Sequence, residues 1–150
     1  MGELWSTAAA VAVSVWLIAL SAFDFRYHRL PNLLTVPGAA VILVAAVVTG
    51  HGAAATLGAA ALFSVYAGVH LVAPAAMGAG DVKLAAGLGA LTGAFGADVW
   101  VLAAVGASLL TAMAAMCLRL AGSAPTVPHG PSMCLATGAV LTVALHTPGI

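Results

Sequence analysis

Charge is almost absent from this 150-residue chain: four basic and four acidic side chains make up 5% of it, where an ordinary soluble domain carries about 25%. With 63% hydrophobic residues, too little polar surface remains to keep a folded monomer in water, so the composition is that of a polytopic membrane protein. The formal net charge is zero and no basic stripe exists to neutralise phosphates, which excludes a nucleic-acid partner. Cysteine is scarce too. Cys117 and Cys134 each lie in an apolar run and no C-x-x-C pair occurs, so neither a disulfide framework nor a thiolate metal site is expected. A positive n-region is also lacking before the segment from Leu4 to Ala22, where the only charge is Glu3. That segment reads as a retained helix rather than a secretory signal. The opening MGELWS fits the acylation pattern M-G-x-x-x-[ST], but one acyl chain adds little to a protein that already spans a bilayer.

What the sequence does contain is a series of apolar runs separated by polar, Gly or Pro punctuation. They give six candidate spans: Leu4 to Ala22, Leu33 to Val48, Ala53 to Ala73, Val82 to Phe95, Val99 to Leu118 and Ser132 to His146. The second, fourth and sixth fall below the usual minimum of about 17 residues, so each suits a tilted span, a thinned bilayer or a re-entrant segment. Charge placement favours six crossings. With the N-terminus outside, Arg26, Arg29, Lys83 and Arg119 all fall on or beside the cytoplasmic connectors, as the positive-inside rule asks, while Glu3 and Asp98 fall on the other face. The expectation is an all-α bundle of six transmembrane helices, N-out and C-out, forming one domain over residues 1–150. The spans are rich in Ala and Gly, as in GAAATLGAAALFS and GLGALTGAFG, which lets membrane helices approach closely. Small-xxx-small spacing also suits a homodimer seam, but in so Ala-rich a sequence it arises by chance.

An ionisable residue in a membrane segment costs about 2.5 to 3.5 kcal/mol on insertion scales and marks a functional site by default. This topology puts two acidic residues on the cytoplasmic side, Asp24 as the first span ends and Asp81 as the fourth begins, far apart in sequence but at one depth. Two carboxylates brought together hold one shared proton, the arrangement of an aspartic protease. The ionised carboxylate takes a proton from water as it attacks an amide, and the protonated one polarises the carbonyl; neither metal nor covalent intermediate is needed. The structural alternative is an interfacial ion pair with Arg26 or Lys83 that merely fixes topology.

The local sequences are DFRYHRLPN (Asp24 to Asn32), GAGD followed by VKL (Gly78 to Leu84), and PHGPSMCLATG (Pro128 to Gly138). Together, in this order, they resemble the hallmark segments of the type IV prepilin peptidases, membrane aspartic proteases with a D-x-R-x-x-R-[IL]-P-N-like stretch, a G-x-G-D-x-K-L stretch and a P-[FY]-G-P-x-L-A-x-G stretch. His129 stands where the family commonly has an aromatic residue, and Ser132 and Met133 replace bulkier apolar ones.

The resemblance implies that Asp24 and Asp81 are catalytic, supported by Gly78, Gly80, Lys83, Arg26, Arg29, Pro31 and Asn32. Gly78 and Gly80 permit close approach of a substrate strand or partner helix to Asp81. Pro31 and Asn32 break the chain and begin the second helix, with Asn32 as its N-cap. The helix macrodipole favours the anion at Asp81, near a helix N-terminus, and disfavours it at Asp24, near a C-terminus, which makes Asp81 the expected base and Asp24 the acid. The implied substrates are prepilins or pseudopilins, single-span proteins in the lipid bilayer whose short basic leader is removed on the cytoplasmic side of the inner membrane. The stretch from Asp24 to Thr35 is short and lacks C-x-x-C, so neither a separate N-methyltransferase domain nor zinc is expected, nor any cofactor. The chain is similar to the compact members that process Flp-type (tight-adherence) pilins or preflagellins.

Other chemistries have less support. Of five histidines only His28 and His129 fall where they could join the aspartates in a metal site. Ser123 and Ser132 lack a nearby G-x-S-x-G or a base motif. A non-catalytic carrier or pilus-assembly component that relays protons through the aspartates is the rival from another class, but a carrier places its ionisable residues near mid-membrane.

Overall fold

The computed structural model describes residues 2–75, 77–122 and 127–146, with side chains from Ser6 onward; Glu3 and Ser123 lie outside the described side chains. Among the described residues there are six α-helices and no strand: α1 (Gly2–Tyr27), α2 (Asn32–Val48), α3 (Gly52–Val72), α4 (Ala79–Ala94), α5 (Ala97–Leu120) and α6 (His129–His146).

The helix ends follow local chemistry. α1 continues past the apolar run, through Asp24, and stops where His28 turns to φ 50°, a left-handed residue whose N–H reaches back to the Asp24 carbonyl at 2.9 Å. Asp24 therefore lies inside the last turn of α1 rather than beyond it. Pro31, extended at φ −68° and ψ 133°, holds the cap position of α2, and Asn32 is the first helical residue. The expected Asn32 cap is corrected: no side chain caps this end, and the Asn32 amide is engaged elsewhere. α5 begins after Gly96, whose φ of 120° only glycine adopts without strain. α6 starts at His129, three residues before the expected span.

Three helices, α1 from Ser6, α3 and α5, are long and apolar enough to cross a membrane; α2 is a shorter apolar helix of 17 residues. Large aliphatic side chains such as Val15, Ile18, Val44, Leu57 and Leu109 point outward, away from the bundle. An exterior this apolar is stable against lipid tails and not against water.

α4 is the central element. Nearly every residue from Asp81 to Gly93 is buried, with α2, α3, α5 and α6 packed around it. Its glycines permit that. A Cβ on Gly89 would lie 2.5 Å from the Gly58 carbonyl oxygen, and one on Gly93 would lie 2.8 Å from that of Ala54, so α3 and α4 touch backbone to backbone. Gly89 with Gly93, and Ala54 with Gly58, each repeat at four residues, the small-xxx-small spacing of membrane helix pairs. That spacing is used within the chain. Trp100 of α5 completes the seam by donating its indole N–H to the Gly58 carbonyl at 3.0 Å.

Candidate active site

Asp24 and Asp81 are both buried, 6% and 9% exposed, in a chain whose acidic residue Asp98 is exposed. Their burial follows from helical spacing. Leu17, Leu20 and Asp24 recur at intervals of three and four along α1, and Asp81, Leu84, Ala85 and Leu88 do so along α4. The leucines of both stripes enter the main core, so each aspartate ends the buried face of its helix. The α1 and α4 backbones do not adjoin among the described residues, yet Asp24 lies within range for its charge to be felt at Asp81.

Each carboxylate meets a helix N-terminus. Asp81, in the first turn of α4, accepts a hydrogen bond from the Gly78 N–H at 3.3 Å, one half of a capping box. The Asp24 carboxylate lies against the backbone of Gly130, the second residue of α6. A Cβ at Gly130 would sit 2.6 Å from Asp24 Oδ2, so only glycine lets α6 come this near. The expected division into base and acid rested on Asp24 facing an unfavourable helix end. The N-terminus of α6 removes that contrast, because both carboxylates now face the positive end of a dipole. Cys134, one turn further along α6, lies within electrostatic reach of both.

The flanking segments dock on one another. Leu30, between α1 and α2, packs where a Cβ on Gly80 would come, at 3.3 Å, and Lys83 Nζ donates to Asn32 Oδ1 at 2.9 Å. Gly80 thus gives close approach, though to the neighbouring loop of this chain. Gly78 does not need to be glycine on either count: its φ and ψ of −72° and 145° are ordinary extended values, and a Cβ would meet Asp81 Oδ2 at a normal 3.4 Å. The Arg26 guanidinium lies 6.0 Å from the Tyr27 ring centroid, and Arg29 is exposed. Lys83 and Arg26 therefore have partners other than the carboxylates, unlike the ion-pair alternative. Before Gly78 the chain is pinned by His70, whose Nδ1–H donates to the Met77 carbonyl at 2.7 Å.

His28 is exposed at the end of α1, and both ring nitrogens of His129 are occupied by Tyr66 and Thr111. Ser132 begins no nucleophile turn; it lies within the first turn of α6. Between α3 and α5 opens a cavity of about 350 Å³, apolar along Val65, Val69 and Met77 and polar at Tyr66, Thr111 and His129. Gly130 and His70 are the site residues that motif reading did not single out. Gly130 carried a signal, since it sits in the PHGPSMCLATG stretch; His70 carried none, being one histidine inside an apolar helix.

Comparison with curated proteins found no match, and comparison with solved structures found none either. The model of the type IV leader peptidase family matches residues 11–145, a stretch that begins before α1 delivers Asp24 and closes within α6, after Gly130 has met it. All three segments of the site fall inside that match, and the chain belongs to the type IV leader peptidase family.

Proposed function

We propose that this protein is a membrane aspartic endopeptidase in which Asp24 and Asp81 activate water to cut the leader from prepilins or pseudopilins. The observation that carries the reading is the pair of buried carboxylates, brought from α1 and α4 to within electrostatic reach, each on a helix N-terminus. Burial of both in one site favours a single shared proton. The ionised member takes a proton from water as the oxygen attacks the scissile carbonyl, and the protonated member hydrogen-bonds the carbonyl oxygen as it gains charge. Collapse of the tetrahedral intermediate then passes a proton to the departing amine, and the peptide C–N bond breaks. The two residues act as one unit, and which of them starts as the base is not set by helix ends.

The remaining parts of the reading follow from the charge distribution. All six helices cross, with both termini outside, so that Arg26, Arg29, Lys83 and the two aspartates share the cytoplasmic face of the inner membrane. There the frayed end of a substrate helix, just before its hydrophobic segment, reaches the pair. The whole chain forms one domain, similar in plan to the compact members that process Flp-type pilins. Co-expression with a prepilin, followed as a mobility shift at equal membrane abundance, tests this. Processing by the native protein and by neither Asp24→Asn nor Asp81→Asn is expected; processing that survives either substitution rules the aspartic mechanism out.

A further inference from the structure

His129 takes no part in the chemistry above, yet it is a half-buried imidazole with both nitrogens engaged. Nε2 lies 2.8 Å from the Tyr66 hydroxyl of α3, and Nδ1 lies 2.6 Å from Thr111 Oγ1 of α5. The Tyr66 and His129 rings also stack at a tilt, with centroids 5.5 Å apart. The direction of these bonds can be worked out from one end. Thr111 Oγ1 is 3.1 Å from the Ala107 carbonyl, which can only accept, so the single hydroxyl proton goes there. The Thr111 oxygen then accepts from Nδ1–H, which leaves Nε2 to accept from the Tyr66 O–H. Donation runs in one sense, from Tyr66 to His129 to Thr111 to the α5 backbone.

This chain of donors joins three helices at the point where α6 begins. Gly130, the next residue, is the one whose backbone lies against the Asp24 carboxylate. Tyr66 belongs to α3, which lies backbone to backbone on α4, and it is within electrostatic reach of Asp81. A rotation of the first turn of α6 would therefore move the Asp24 partner relative to a frame fixed on Asp81.

We propose that His129 is a positioning residue: through Tyr66 and Thr111 it fixes the first turn of α6 and so holds Gly130 on Asp24 in register with Asp81. The inference rests on the aspartic-peptidase reading. A phenylalanine, the type of residue the family commonly carries here, would fill the same space without either hydrogen bond and would leave this chain's Tyr66 and Thr111 without their shared partner.

The test is steady-state cleavage of a prepilin by the full-length protein in lipid vesicles. His129→Phe and Thr111→Val are expected to lower kcat about ten- to a hundredfold, the scale of an ångström-sized misplacement, with KM within about threefold of native. Thr111→Ser, which keeps the hydroxyl, is expected to restore kcat to within about threefold, and the double variant His129→Phe/Thr111→Val to be no slower than His129→Phe alone. Native kcat in His129→Phe or in Thr111→Val overturns the proposal. So does a raised KM with kcat unchanged, which would make these side chains walls of the neighbouring cavity that bind substrate. If His129→Phe fails to accumulate, the Thr111→Val and Thr111→Ser pair decides by itself. Asp24→Asn and Asp81→Asn run alongside: inactive aspartate variants beside a native-rate His129→Phe sink this proposal alone, whereas cleavage by either aspartate variant sinks the peptidase reading and this proposal with it.

Discussion

A carboxylate removed from water needs polar surroundings in exchange, and both aspartates lie against backbone at a helix N-terminus rather than beside the nearby cations. At Asp24 that backbone is Gly130, whose missing side chain is what admits the carboxylate. Gly130→Ala would set a methyl group 2.6 Å from Asp24 Oδ2, so the carboxylate or the first turn of α6 must shift. The expected result is a loss of at least about tenfold in kcat with the protein still folded, because a small displacement at reacting groups is enough. Gly78→Ala is the contrast. Its N–H stays in place and its Cβ meets ordinary contact distances, so cleavage within about threefold of native is expected in the same assay. Both glycines look alike as letters in a motif, and only the packing around them tells them apart. The aspartates themselves were legible because ionisable groups are so rare in this chain, whereas Gly130 is one of 17 glycines and its partner is distant in sequence.

At the level of elements, α4 is held among its neighbours by the absence of side chains along its contact with α3. Gly89→Val would drive a branched side chain into the Gly58 carbonyl and the Leu62 side chain, and overpacking of this kind costs about 1–3 kcal/mol. A lower unfolding temperature in detergent is expected. Gly68→Ala, on the same α3 but with open space at its Cβ, is expected to leave that temperature unchanged or slightly raised. The six helices were readable from apolar runs, but their ends were not. Hydropathy stops at Ala22, while the hydrogen-bonded turns of α1 carry on through polar Asp24 to Tyr27, ended by the backbone of His28 rather than by loss of apolarity. Asn32 fits a capping residue by type, yet Pro31 takes the cap because its ring already holds φ near the required value, and Lys83 claims the amide oxygen. The donor chain through His129 was not readable, since it depends on three helices meeting.

On the scale of the whole molecule, the bundle encloses its polar chemistry at one end and turns an aliphatic surface outward. The proposed six-crossing arrangement sets which side of the membrane that end faces. In a background without Cys117 and Cys134, a cysteine replacing exposed Arg29 is expected to react with an impermeant thiol reagent from the cytoplasmic side alone, and one replacing exposed Asp98 from the outer side alone. Reaction of both from one side would contradict the topology. The central claim, that residues far apart in the chain form one catalytic unit, is tested most directly by kcat of the purified protein in lipid for Asp24→Asn, Asp81→Asn and the double variant. Groups that act as a unit are grossly non-additive. The account requires each single variant to be as inactive as the double; a single variant that keeps cleavage within about tenfold of native, or losses that multiply in the double, would contradict it.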